Sequence, residues 1–274
     1  MNPFVFACIV PHGSEIIETL SGGRPELMAR TRASLESLGA RMRQAAPEVL
    51  VVLTPHGVRL DEAFAVSDCE RMEGSVEDGG ASVGMQRPVD RVLARRIVQT
   101  ARADGLPVMG VNFATAKGPL SCLPLDWGAI VPLTFMPEVP VVVITPTRQR
   151  SFADQLRFGA ALARAVGESG RRAGLIASCD WAHAHREDGP YGYHPAASRL
   201  DELVVNALKA DDLEALARLD PRFVDDAKPD GIWQALILAG AIPKGWRRTE
   251  VLSYEVPTYF GLICAGVTPV SPNA

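Results

Sequence analysis

The sequence predicts an α/β protein: a mixed central β-sheet with helices on both faces and a metal site at the carboxyl ends of its strands. Three observations carry this. Along 274 residues, apolar runs of strand length alternate with helix-length amphipathic stretches, the order that builds a sheet from β-α-β units. Two of the runs, Phe4 to Val10 and Val49 to Thr54, lead directly into matching turns, Pro11-His12-Gly13 and Pro55-His56-Gly57. The other three of the five histidines, His183, His185 and His194, fall in one polar stretch, Ser178 to Pro195. Open α/β sheets bind ligands beyond the carboxyl ends of their strands. Two strand-end imidazoles with a polar histidine loop to close over them therefore mark a metal or catalytic site.

Each element has its own reason. Phe4 to Val10 is an unbroken apolar run and reads as a buried strand. After Gly22-Gly23, Pro25, a residue favoured at the first helical position, opens a helix with Leu27, Met28, Leu35, Leu38 and Met42 at helical spacing as core. Pro47 stops that helix, and Val49 to Leu53 is the second strand. Ala63 to Val66 pairs as another, whereas Glu73 to Arg87 is glycine-rich, acidic and aperiodic and reads as a mobile surface loop. Pro88 starts a helix with Val89, Val92, Leu93, Ile97 and Val98 on one side and Arg91, Arg95, Arg96 and Arg102 on its wet face. Leu106 to Val111 is a strand. Leu120 to Leu133 is an apolar, proline-bearing passage containing Leu125-Asp126-Trp127-Gly128. Val139 to Ile144 is a buried strand, Phe152 to Val166 a helix, and Leu175 to Ser178 the strand that feeds the histidine loop. Helices over Ala197 to Lys209, Leu213 to Arg218 and Ile232 to Ala239, then strands over Glu250 to Glu255 and Tyr259 to Ala265, complete a single domain of residues 1–274.

Composition narrows the function. A chain that is 47% hydrophobic with a net charge of −4 can bury a large core but offers no basic footprint for nucleic acid or an anionic membrane. Five cysteines, odd in number and without a C-x-x-C pair, suit a reducing cytoplasm rather than a disulfide framework or a zinc finger. No phosphate-cradling glycine loop and no G-x-S-x-G nucleophile elbow is present. A metal held by His12 and His56 needs a third ligand. A carboxylate completes one face of an octahedral Fe(II) and leaves positions open for substrate and O2, whereas a third histidine points towards zinc. Asp230, just before a helix, and the loop histidines are the candidates, and spacing leaves both open.

The chain resembles the class III extradiol dioxygenase catalytic-subunit family, whose superfamily includes the Memo-like proteins. The similarity runs nearly end to end. It rests on Ile9-Val10-Pro11-His12, Leu53-Thr54-Pro55-His56, Leu125-Asp126-Trp127-Gly128 with Val131-Pro132-Leu133, Ala177-Ser178-Cys179-Asp180-Trp181-Ala182-His183, Glu187 to Tyr193, and the spacing from Asp230-Gly231 to Gly240-Ala241.

The resemblance implies that His12, His56 and Asp230 hold the metal, that His183 is the catalytic acid/base, and that Fe(II) is the cofactor, with zinc or another divalent metal as alternatives. Asp230 stands where dioxygenases have glutamate and Memo-like relatives cysteine, and Trp127 where many relatives have a substrate-contacting histidine. The expected activity is extradiol cleavage of a catechol or aminophenol-type ring with O2; the alternative is a Memo-like metal-binding or redox protein without ring cleavage. Trp127, His185 and Tyr191 are the expected substrate contacts, with Asp180 orienting His183. The expected assembly is a homo-oligomer, with room for a small companion subunit.

Overall fold

The computed structural model describes residues 2–271. Strand β1 (Phe4–Val10) leads through two short 3-10 turns into α1 (Ala29–Ala45), β2 (Val49–Leu53), β3 (Phe64–Ser67), β4 (Arg71–Asp78), β5 (Ala81–Pro88), α2 (Arg91–Ala103) and β6 (Val108–Val111). Then come β7 (Cys122–Pro124), α3 (Trp127–Leu133), β8 (Val141–Thr145), α4 (Phe152–Ser169), β9 (Ala173–Ser178), α5 (Ala196–Lys209), α6 (Pro221–Ala227), α7 (Ile232–Ala241), β10 (Arg247–Glu255) and β11 (Leu262–Pro269). Eight strands form one sheet in the order β10-β11-β1-β9-β2-β8-β3-β6. Its centre, β1-β9-β2-β8, is parallel, while β11 and β3 join it antiparallel on either side. The predicted mixed α/β sheet is therefore present.

Alternation along the strands divides the interior into two layers. Val49, Val51 and Leu53 of β2 face a core with α2, α4, α5 and α7, whereas Leu50 and Val52 face one built with α1, α3 and the β4–β5 hairpin. A register shift between Phe4 and Phe6 keeps β1 in step, so Ala7 and Ile9 join the first core and Phe6, Cys8 and Val10 the second. Both faces of the parallel centre are covered. This is why its strands read as continuous apolar runs.

Three local expectations are corrected. Glu73 to Arg87 is no loop but most of the β4–β5 hairpin, turning at Gly79-Gly80, both with positive φ. Gly74 explains the misleading glycine content: a Cβ there would lie 2.1 Å from the Leu125 carbonyl oxygen, so the hairpin can approach β7 only without a side chain. Pro25 does not open a helix. The Arg32 side chain donates to the carbonyls of Ile16, Pro25 and Glu15, wrapping this segment as turns ahead of α1. The helix expected from Pro88 starts at Arg91, where the Asp90 side chain accepts from Leu93 N at 3.0 Å and so caps α2. In addition, Asp220-Pro221 opens the unanticipated α6, with the aspartate as cap and proline at the first helical position.

Candidate metal centre

The carboxyl ends of β1, β9 and β2 lie side by side, and the site grows from that adjacency. Val10 of β1 pairs with Ser178 of β9, so His12 and Asp180, each two residues further on, leave the sheet together. Asp180 Oδ1 accepts from the His12 backbone N–H at 2.9 Å, and Asp230 Oδ1 accepts from the Asp180 backbone N–H at 2.9 Å. Asp230 thus is not the helix cap. Gly231 occupies that position at α7, leaving Asp230 Oδ2 for the site.

In its neutral, ligand-competent form the His12 imidazole has a defined tautomer. The Ser178 hydroxyl donates to the Gly128 carbonyl, so its oxygen accepts from His12 Nδ1–H at 2.9 Å and Nε2 carries the lone pair. That Nε2 lies 3.1 Å from His56 Nε2, and Asp230 Oδ2 sits 3.3 Å from His12 Nε2 and 3.4 Å from His56 Nε2. The structure therefore brings His12, His56 and Asp230 into one triangle of potential ligand atoms.

On the His56 side, Thr54 Oγ1 accepts from the His56 backbone N–H at 3.3 Å and donates to Asp126 Oδ1 at 2.7 Å; Asp126 also caps α3. Gly128 follows from this crowding. A Cβ there would stand 2.6 Å from Thr54 Oγ1 and 3.2 Å from His56 Cδ2.

Asp180 is the principal member that sequence reasoning misplaced. Its Oδ2 is 3.4 Å from His12 Nε2, so it braces His12 rather than orienting His183. The signal was available: Asp180 follows its strand by the same two residues as His12 does, on the neighbouring parallel strand. Burial alone would depress the His12 pKa, but Asp180 and Asp230 outweigh it and push it up to about 9. Burial likewise works to raise Asp230, yet His12 and the His56 hydrogen bond hold it well below the usual carboxylate range. Burial raises Asp180, opposed by His12 and reinforced by Asp230. Two buried carboxylates converging on one imidazole create a strong preference for positive charge at this point.

The cluster forms the floor of a cavity of about 930 Å³. Trp127 lies at its wall, 47% exposed and stacked on His56; it is not core packing. His183 also faces the cavity, with Nδ1–H donating to the Lys228 carbonyl at 2.8 Å, which leaves Nε2 as an acceptor. A ring nitrogen of His183 and carboxylate oxygens of Asp180 and Asp230 lie within 4.8 Å of one another. Tyr191 meets the His183 ring edge-on at 5.6 Å, and Phe260 stacks on it at 5.4 Å. His185 does not line this cavity. Its Nε2 pairs at 2.9 Å with the fully buried Asp201, which also accepts from Ala182 N and Tyr254 Oη, so its ring serves to anchor the loop.

The donor set fits a divalent cation. Neutral imidazole nitrogen and ionised carboxylate are its ordinary ligands, and edges of 3.1–3.4 Å are those of neighbouring donors about 2.1 Å from a common ion. The shorter Asp230 arm still reaches, because the Asp180 N–H draws it in.

Comparison with known proteins gives this site its setting. The family description "Catalytic LigB subunit of aromatic ring-opening dioxygenase" matches residues 6–263. The chain belongs to the LigB family. This LigB-family chain is 31% identical over 253 residues to Protein CA_C1420 of Clostridium acetobutylicum, covering 90% of the chain and 54% of that protein. It thus spans about half the length of the curated relative it matches. In fold it is similar to the crystal structure of the uncharacterized protein JW3007 from Escherichia coli K12, with a TM-score of 0.62 at 16% identity, covering 95% of this chain and 98% of the other. Among the described residues, no helix is long and apolar enough to cross a membrane.

Proposed function

We propose that this LigB-family chain is an extradiol dioxygenase that opens a catechol or aminophenol-type ring with O2, using Fe(II) held by His12, His56 and Asp230. The observation that carries the reading is the committed tautomer of His12. Ser178 Oγ accepts a hydrogen bond from Nδ1–H, so in the neutral ring the Nε2 lone pair is turned to the point where His56 and Asp230 converge, a two-histidine, one-carboxylate face. Fe(II) bound there would supply Lewis acidity towards the adjacent hydroxyl or amino substituents of the ring and a redox partner for O2.

The protein's own groups do the rest. His183 Nε2 accepts a proton from a ring hydroxyl and later returns it, while the Lys228 carbonyl fixes its orientation. Trp127, Tyr191 and Phe260 wall the cavity with aromatic surface suited to a flat ring. Trp127 contributes shape, because an indole has a donor and no acceptor. Tyr191 is a substrate contact in this reading, whereas the loop-anchoring position of His185 argues for a supporting part.

A second reading, a Memo-like metal or redox protein on the same scaffold, is favoured by Trp127, which removes a proton-accepting group from the wall. The test is metal analysis of anaerobically purified protein, then O2 uptake with catechols and aminophenols. Stoichiometric iron with O2-dependent ring opening supports the first reading; iron without O2 uptake on any diol supports the second.

A further inference from the structure

We propose that Arg59 and Arg148 form an anion subsite in the cavity wall, and that the substrate is an aromatic larger than one ring whose remote substituent carries a carboxylate or phosphate. The inference rests on the dioxygenase reading only for which end of the substrate faces the metal.

Size is the first argument. Cavities of ~300–1,000 Å³ hold drug-sized ligands, and this one, at about 930 Å³, is near the upper end. A single diol ring over His12 and His56 would leave most of it to water. Charge is the second. Four cationic side chains line the wall, and two are already paired: Arg150 with Asp154, and Lys228 with Asp225. Among the described residues, Arg59 and Arg148 have neither an ion-pair partner nor a side-chain hydrogen bond.

Placement is the third argument. Arg59 follows β2 and Arg148 follows β8, neighbouring parallel strands, so both enter the cavity from one side. Their loops are tied together by Thr147 Oγ1, which donates to the Asp61 carbonyl at 2.6 Å, and Gln155 Nε2 of α4 holds the Thr147 carbonyl at 2.9 Å. The Arg148 guanidinium lies 4.8 Å over the Trp233 ring, which orients it without neutralising it. Both arginines are exposed to solvent at the cavity wall, and partial desolvation holds Arg148 below the usual arginine range, with Asp230 opposing this and Arg59 adding to it. A planar, forked cation beside another is the arrangement that takes a carboxylate or phosphate in several charge-assisted bonds.

The experiment measures binding, by tryptophan fluorescence, of a dihydroxybiphenyl bearing a distal carboxylate, phosphonate or neutral carboxamide, with catechol as reference. The expected result is at least ~10-fold tighter binding of the anions than of the carboxamide, the usual worth of a charge-assisted contact. That preference is lost in Arg59→Gln/Arg148→Gln and reduced in Arg59→Gln alone, while catechol binding is unchanged. The order of carboxylate and phosphonate identifies the anion. Equal binding of charged and neutral ligands, or a preference that survives in the double variant, overturns the proposal. Ring opening of catechol without any anion preference rejects this inference and leaves the dioxygenase reading standing; anion preference without ring opening does the reverse.

Discussion

The Trp127 indole is stacked on the His56 imidazole, ring centroids 4.1 Å apart and planes 27° apart. A residue whose neighbouring Gly128 has no room for a side chain thus covers one face of a proposed ligand. Trp127→His should leave metal stoichiometry intact and change the ratio of kcat/KM values among substituted catechols. An unaltered substrate profile would show that this wall does not touch the substrate.

Ser178 sets the tautomer of His12. His12→Ala and His56→Ala should each abolish stoichiometric metal, whereas Ser178→Ala should weaken it by about 10–100-fold, the usual effect of losing such a support. Titration with Fe(II) or Zn(II) under anaerobic conditions measures both. Full occupancy in the two histidine variants would remove them from the ligand set.

His183 faces the cavity with a free Nε2. His183→Ala should keep the metal and bind catechol, yet slow ring opening by on the order of a hundredfold or more. Single-turnover kinetics separate the chemical step from binding. Loss of metal instead would make His183 a ligand.

Gly128→Ala forces a methyl group against Thr54 Oγ1 and His56, and overpacking of this kind costs about 1–3 kcal/mol. Thermal unfolding should fall accordingly, with metal affinity falling alongside. Wild-type stability in this variant would mean that the loop yields freely.

Away from the site, the fully buried Arg247 side chain meets Glu214 at 2.6 and 2.9 Å, tying β10 to the 3-10 turn of Leu213–Arg218. Burial works to raise the Glu214 pKa, but the Arg247 hydrogen bonds prevail and lower it. A depressed carboxylate stabilises the fold above its unfolded pKa of about 4.3, and the contribution is lost as pH falls through the folded value. Glu214→Gln should therefore reduce stability by about 1–3 kcal/mol at pH 7 and bring the two proteins together in strong acid. Urea melts at the two pH values decide it, and a difference that persists in acid would point to packing.

The parallel centre of the sheet was legible because strands covered on both faces must be apolar throughout, and His12 and His56 were legible as abrupt polar turns after such runs. The β4–β5 hairpin was not, because Gly74 answers to Leu125 and the acidic residues answer to solvent, which together erase the alternation. Asp230 was a candidate beside the loop histidines, and only resemblance chose it, since an aspartate before a helix ordinarily caps it. Arg59 and Arg148 carried no local signal: they are 89 residues apart, and only the adjacency of β2 and β8 makes them neighbours.

The carboxylates of Asp180 and Asp230 each grip a backbone amide with one oxygen and face the histidines with the other. Chemistry and architecture therefore share the same atoms. Replacing Asp230 by alanine would release the tip of β9 along with any cation, so a dead variant would say nothing about which loss killed it. Asparagine, which keeps an oxygen for the Asp180 amide, separates the two. Even without a metal, an acceptor at position 230 would still hold the Asp180 amide and with it the tip of β9.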